Sequence, residues 1–437
     1  MIEQLYQQFL GSDGVSIDTR KLIKNQIFFA LPGEKTDGNL FAQQALDAGA
    51  LAVVVQNWKK PLTDQIFLVS DVLKTLQDLA RLHLQNCKKN GLKVVGITGS
   101  NGKTTTKELV KSVLAQEFST YATLGNLNNH IGVPLSLLAL KHETWAVIEM
   151  GANHIGEIAE LCTFAEPDYG IITNIGAAHL EGFGGKLGVR QAKNELYLFL
   201  QQKNGKAIVN LDDETLKDLS KNMNYLGFST QKIAHQVQIE VQKTEAGEPI
   251  ILRYQYQNFI SDWIKTQLIG FYNIANLAYA LTLGVELGLN FEKIKKGLEN
   301  YHPENSRSQW LKTANRTLII DCYNANPDSM KAALESFAPL KTPKLAILGD
   351  MLELGSEAEV AHQQICQQVL ALNIEAFLVG EIFTKSLENI AINEKIKLFS
   401  DKKKLMDYLE THQISQKTIL LKASRGMDLN TLVPILS

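Results

Sequence analysis

The stretch VVGITGSNGKTTTKELVKSVL, residues 94–114, holds the turn from which the rest of the chain can be read. A run of strand composition, VVGIT, meets a loop with Gly99 and Gly102, then Lys103 and three threonines. Apolar residues follow at 109, 110, 113, 114 and 118, which is helical spacing. Strand, glycine-rich loop and helix N-terminus is the setting of a phosphate-binding loop. The glycines let backbone N–H groups approach a phosphate, and the helix N-terminus favours its charge. Lys103 can reach the β and γ oxygens, and the Thr104 hydroxyl can ligate Mg2+. The spacing departs from the usual form, since Ile97 stands five residues before Gly102 where a glycine is expected, and the loop glycines are Gly99 and Gly102 instead. The stretch predicts ATP or GTP binding, against a purely structural glycine turn.

Outward from this loop the chain is α/β and divides into three domains. Before it, IFFAL (27–31), a helix near 40–48, LAVVV (51–55), IFLV (66–69) and helical spacing from 72 predict a small α/β domain over 1–90, closed by the charged CKKNGLK at 87–93. After it, VVGIT, AVIEM (146–150), GIITN (170–174) and AIVN (207–210) are separated by helix-length segments, which predicts a central parallel-sheet P-loop domain over 91–308. Between about 225 and 268 the period becomes two, with Val237, Ile239 and Val241 alternating with polar residues ahead of EAGEP and IILRYQY, so an antiparallel β appendage is expected. Residues 309–437 alternate again through LIID, LAIL, FLV, IKLF and TILLK, as in a C-terminal Rossmann-like domain.

A chain of 437 residues fits this number of domains at roughly 150 residues each. Its 44 Lys and Arg against 46 Asp and Glu give a net charge of -2, which excludes bulk electrostatic binding to nucleic acid or to an anionic membrane. An anion must be held by a local site. Cys87, Cys162, Cys322 and Cys366 lack CxxC spacing, so free thiols in a reducing compartment, the cytoplasm, are expected rather than a zinc site. MIEQLYQQFL, at 1–10, has helical spacing and no basic n-region, and reads as an amphipathic helix rather than a signal peptide. The apolar stretch 268–289 is broken by Asn273, Asn276, Thr282 and Glu286, so it predicts a buried helix that presents asparagines to a site, with no membrane insertion.

Metal ligands are sought at the same sheet edge as the loop. Glu149 ends AVIEM and His179 follows GIITN, so both would lie near Thr104 at the carboxyl edge of the sheet. Alone, His179 reads as a structural or solvated histidine; with Glu149 at the same sheet edge it reads equally as a metal ligand. Lys193, in RQAKNELYLFL, reads by its residues as a solvated helix lysine.

TGSNGKTTTKE, TLGNLNNHIGVPLSLL (123–138), EMGANHIGEI (149–158), TNIGAAHLEGFG (173–184), IIDCYNANPDSM (319–330) and LGDMLELG (348–355) together resemble the Mur ligases, across all three domains. The resemblance implies an ATP-dependent ligase of peptidoglycan precursor synthesis. GNLNNHIGVP and YNANPDSM point to the family member that joins UDP-MurNAc-tripeptide to D-alanyl-D-alanine, a monomer with no nucleic-acid partner. It implies that Gly99, Ser100, Asn101, Gly102, Lys103, Thr104 and Thr105 hold ATP, with Asn273 and Asn276 at the adenine, Asp321 at the ribose and Arg307 clamping phosphate. It implies two Mg2+ ions on Thr104, Glu149, His179 and Lys193, the last as a carbamylated lysine, which reverses the solvated reading of that residue. Lys103, Glu149, His179, Lys193 and Arg307 are then the catalytic candidates.

The first domain resembles the family's UDP-binding module in SIDTR and LPGEKTDG, which makes Thr19, Arg20, Asp37 and Gly38 candidates for the uridine diphosphate end. Asn126, Asn128, Asn129, His130, Asn324 and Asn326 are further substrate-binding candidates from the two diagnostic stretches. Asp18-Thr19-Arg20 replaces the family's DSR and keeps its hydroxyl. Lys422-Ala423-Ser424-Arg425 replaces KGSR, so Ser424 and Arg425 read either as substrate-positioning residues or as a basic strand cap. Two rivals remain at this level. Another ligase of the superfamily would share the loop, and a P-loop switch that only hydrolyses ATP would share it without needing the flanking domains.

Overall fold

The computed structural model describes residues 1–437 apart from 34, 35, 178, 179, 304–306, 308 and 389–392. Among the described residues three sheets form, in the three domains expected. The first carries the parallel strands Val15–Ser16, Ile27–Phe29, Ala52–Val55 and Ile66–Leu68 in sequence order. Ile27–Phe29 and Ala52–Val55 are buried at every residue, as strands covered on both faces must be, and this is why they read as unbroken apolar runs. The helix Val72–Lys89 starts where the Asp71 carboxylate accepts from Lys74 N at 2.9 Å, and it ends on Lys88 and Lys89, which suit a helix C-terminus. Its apolar face, through Leu76 and Leu79, shares one core with Leu137 and Ile148 of the central domain.

The central sheet runs from Phe259–Ile260 through Ile251–Tyr256, Val237–Val241, Asn224–Ser229, Lys206–Asn210, Tyr169–Ile172, Lys93–Thr98 and Trp145–Glu149 to Thr120–Ala122. Lys93–Thr98 is parallel to both neighbours, with Ile97 opposite Glu149 and Thr98 opposite Ile172. The chain passes from one side of this strand to the other, so its carboxyl end is the switch point where α/β sheets bind ligands. The antiparallel appendage is present, Val237–Val241 pairing with Ile251–Tyr256, and it extends the same sheet through the parallel pair with Asn224–Ser229. The 268–289 stretch contains the helix Asn273–Glu286, buried through Leu277–Gly284 with both asparagines at its start. Among the described residues no helix is long and apolar enough to cross a membrane.

The third sheet has the order Gln309–Lys312, Thr317–Asp321, Thr418–Lys422, Lys344–Gly349, Glu375–Val379, Ile396–Phe399. All pairs are parallel except the edge strand Gln309–Lys312, which the sequence reading passes over because QWLK is short and abuts the domain boundary. The last strand of the chain inserts between two earlier ones. That insertion makes Asp321 and Lys422 register partners at the carboxyl edge.

Candidate active site

The phosphate loop sits between the strand Lys93–Thr98 and the helix Lys103–Leu114. Gly99 has φ 142° and Gly102 has φ 80°, a region that side chains rarely enter. Space gives the same answer. A Cβ on Gly99 would lie 2.0 Å from Thr173 Oγ1, and one on Gly102 would lie 2.5 Å from Asn276 Oδ1. Thr173 and Asn174 hold the loop from the next strand, Asn174 Oδ1 accepting from Asn101 N at 3.0 Å while Asn174 Nδ2 donates to Asn101 O at 2.9 Å. Ser100 is fixed by the Gly176 backbone, which its hydroxyl meets at 3.0 Å.

Lys103 folds back over this loop, its Nζ donating to Gly99 O at 2.7 Å and Ser100 O at 3.1 Å. Burial pulls its pKa below the usual lysine value; the Glu149 charge opposes this and Arg307 adds to it. Thr104 Oγ1 donates to Glu149 Oε2 at 2.8 Å, and Asn128 Nδ2 donates to Glu149 Oε1 at 2.9 Å. Glu149 is buried, and its backbone N–H donates to Thr123 Oγ1 at 3.0 Å. A hydroxyl and a carboxylate this close are hard oxygen donors of the kind Mg2+ takes alongside water and phosphate oxygens. These residues fit that ion. Among the described residues no group of three His, Cys, Asp or Glu side chains forms a fuller cage, and His179 lies outside the described residues.

Lys193 is 2% exposed, on the inner face of the helix Lys186–Lys203, so its residue-level reading as a solvated lysine is wrong. Among the described residues its Nζ lies over the Phe183 ring at 5.1 Å, not against a carboxylate. Burial first, and then the Lys103 charge, lower its pKa to about 7. A lysine with this pKa is about half uncharged amine at neutral pH, whereas a surface lysine is almost wholly protonated there.

A cleft of about 750 Å3 opens between the central and third sheets. It is lined from the central side by Ser100, Asn101, Gly102, Lys103, Thr105, Glu149, Asn273 and Asn276, and by Asn126, Asn128, Asn129 and His130. From the other side come Arg307, Asp321, Asn324, Asn326, Ser424 and Arg425. Thr106 Oγ1 donates to Asn276 Oδ1 at 3.1 Å and Asn276 Nδ2 donates to Asn273 Oδ1 at 2.9 Å, so the two asparagines are held as a unit beside the loop. The Arg307 guanidinium stacks 3.5 Å from the centre of the Tyr323 ring, and Arg425 approaches the same ring at 5.5 Å. Asp321 accepts from the buried Lys422 at 2.5 Å. Ser424 Oγ accepts from Leu352 N at 2.9 Å, tying the end of the last strand to the LGDMLELG loop.

The first-domain candidates do not line this cleft. Arg20 is bound to Asp18 by two side-chain bonds of 2.9 and 2.8 Å, which hold the Asp18 carboxyl down to about 2. Thr19 is half-buried in the same turn. Asp37 caps the turn Gly38–Phe41 by accepting from Asn39 N at 2.9 Å. Gly38 is packed so closely that a Cβ would lie 2.5 Å from Leu31 O. Sequence reasoning missed Asn174 and Asp328 in the cleft and the buried Lys107 beside it, while Lys422, singled out only as part of the KASR stretch, lines the cleft as well. Asn174 had a signal, a polar residue closing the strand GIITN beside the loop. Asp328, in NPDS, accepts from Ala177 N at 2.6 Å across the cleft, a contact between distant segments with no local signature.

Three family models match consecutive parts of the chain: Mur ligase family, catalytic domain, over 12–97; Mur ligase middle domain over 97–284; and Mur ligase, glutamate ligase domain, over 306–425. The chain is 34% identical to the UDP-N-acetylmuramoyl-tripeptide--D-alanyl-D-alanine ligase of Bacillus subtilis, covering 96% of this chain and 92% of that protein. A crystal structure of MurF from Acinetobacter baumannii superposes with a TM-score of 0.87 at 30% identity, covering 100% of this chain and 98% of the other. MurF ligase from Thermotoga maritima in complex with ADP gives 0.83 at 28% identity, covering 98% and 97%. With its three domains matched in order and its whole length covered, the chain belongs to the Mur ligase family.

Proposed function

We propose that this chain is the ATP-dependent ligase that joins D-alanyl-D-alanine to UDP-MurNAc-tripeptide, giving the pentapeptide precursor of peptidoglycan with ADP and phosphate. The observation that carries this is the cleft, in which a phosphate loop on one domain faces Arg307, Asp321 and Asn326 on another. A P-loop switch needs no such second wall. The full-length likeness to proteins that bear this activity's name supports the same reading.

A carboxylate and an amine do not condense directly, because oxide is a poor leaving group. The γ-phosphoryl group of ATP passes to a terminal carboxylate oxygen of the tripeptide, and the acyl phosphate forms as ADP leaves. The amine of D-alanyl-D-alanine attacks the acyl carbon, the tetrahedral intermediate expels phosphate, and the amine proton is lost. Little covalent work falls to the protein; it positions groups and stabilises charge. Lys103 swings from the loop carbonyls to the phosphates, Arg307 meets them from the far wall, and Asn276 and Asp321 bracket the nucleoside. Thr104 and Glu149, with His179, would hold Mg2+, which when bound screens charge on the transferring phosphoryl group. Two ions are assigned, the second held by a carbamate on Lys193, and the support is a buried amine with a pKa near 7. Thr19, Arg20, Asp37 and Gly38 are assigned to the uridine diphosphate end. Asn126, Asn128, Asn129, His130, Asn324, Ser424 and Arg425 are assigned to the peptide ends.

The boundaries are placed at 90 and 308, the chain acts as a monomer, and it works in the cytoplasm, where its substrates are nucleotide-linked and its four free cysteines stay reduced. The test is phosphate release. It should require UDP-MurNAc-tripeptide and D-alanyl-D-alanine together, and release with neither would favour the switch.

A further inference from the structure

Lys107 is a wholly buried ammonium that the mechanism above does not use. It lies one turn into the helix that starts at Lys103. Its Nζ donates to Thr123 O at 2.5 Å, lies 2.9 Å from Glu108 Oε1 and is 4.0 Å from Glu149 Oε2. A buried charge is tolerated only when paired and hydrogen-bonded, and here the pairing is uneven. The Glu108 side chain is 35% exposed and shared with solvent, whereas that of Glu149 is 2% exposed. Thr123 closes the arrangement, taking the lysine on its carbonyl and the Glu149 N–H on its hydroxyl.

We propose that the Lys107 ammonium lowers the affinity of Glu149 for a free divalent cation, so that the metal is taken up together with the nucleotide and not before it. This rests on the reading of Glu149 as a metal ligand. The carboxylate already has the Lys107 Nζ at 4.0 Å and accepts from Thr104 and Asn128, so a free dication meets a carboxylate with a cation and two hydrogen-bond donors already on it. Lys103 adds a second cation nearby. A triphosphate brings negative charge enough to reverse this balance, and the metal then gains ligands that outweigh the repulsion. Lys107 is thus a positioning residue: it acts on the metal through Glu149 and Thr123 and touches no reacting atom.

The test is titration of nucleotide-free enzyme with Mn2+, followed by the paramagnetic resonance of the free ion. Wild type should bind at Glu149 only in the millimolar range or weaker. Lys107→Gln, which keeps a donor and loses the charge, should tighten that binding about tenfold, and Lys107→Arg should leave it within about twofold of wild type. A folded Lys107→Gln protein with unchanged or weaker Mn2+ binding overturns the proposal. If Lys107→Gln does not fold, wild type decides: micromolar binding that Glu149→Gln removes contradicts the proposal, and millimolar binding supports it. Glu149→Gln titrated with Mn2+ and ADP together separates this from the underlying reading. Normal Mn2+ binding there would sink Glu149 as a ligand, whereas weakened binding keeps it whatever Lys107→Gln does.

Discussion

Asn326 Nδ2 donates to Asn101 Oδ1 at 2.7 Å, so the phosphate loop of the central domain is tied directly to the third domain. The same side chain has a second task. Its Oδ1 accepts from Ser329 N at 2.9 Å and caps the helix Pro327–Phe337, with Ser329 Oγ accepting in return from Asn326 N at 3.1 Å. One asparagine therefore fixes both the start of a helix and the distance between the two walls of the cleft.

The two tasks separate by substitution. Asn326→Asp keeps the cap oxygen and removes the donor, so it should melt close to wild type yet lose turnover. Asn326→Ala removes both and should cost about 1 kcal/mol of stability as well. Thermal melts with steady-state kinetics on both variants check this, and full turnover in Asn326→Asp would make the tie incidental.

Lys103→Ala should abolish turnover while leaving UDP-MurNAc-tripeptide binding mostly intact. Lys103 lies in the cleft, and the residues assigned to the uridine diphosphate end lie outside it. Calorimetric titration of the variant with the nucleotide peptide measures this. Equal loss of binding would contradict the division of labour between domains.

Lys193→Ala should be nearly inactive and should regain measurable ligation in formate or acetate, because a small carboxylate can occupy the position of a carbamate. Lys103→Ala should show no such rescue. Near-normal ligation by Lys193→Ala at limiting Mg2+ would remove the carbamate from the account.

The pH dependence follows from the same lysine. Its pKa is lowered from 10.5 to about 7, so its amine is free to react with carbon dioxide above pH 7 and is protonated below. Ligation should fall as pH drops from about 8 to 6, and added bicarbonate at fixed pH should restore part of it. The unfolded chain holds this proton up to the ordinary lysine value, so the group's contribution to stability rises with pH from about 7 to 10.5. A bicarbonate response that persists in Lys193→Ala would place the effect elsewhere.

What the sequence could and could not tell follows from the range of the interactions. Strand, loop and helix around Gly99–Lys103 are local features, and Ile27–Phe29 and Ala52–Val55 read as buried runs because both of their faces are covered. The burial of Lys193 was not legible from its helix, since the polar residues around it match a solvated face; only the family resemblance reversed that reading. Lys107 went unnoticed because a lysine beside a glutamate looks like a surface pair, and its burial depends on Thr123 and Glu149 arriving from other strands. The pairing of Asp321 with Lys422 was equally out of reach. It exists because the last strand inserts into the middle of the third sheet, a choice of order that no local pattern records.

The most direct measurement uses UDP-MurNAc-tripeptide labelled with 18O in its terminal carboxylate, incubated with ATP, Mg2+ and D-alanyl-D-alanine. Phosphate and peptide products are then analysed by mass spectrometry. The account predicts pentapeptide and ADP in equal amounts, with one 18O per phosphate released, because the bridging oxygen of the acyl phosphate comes from the carboxylate. Unlabelled phosphate without pentapeptide would mean that water, not the tripeptide, accepts the phosphoryl group, and would contradict the ligase.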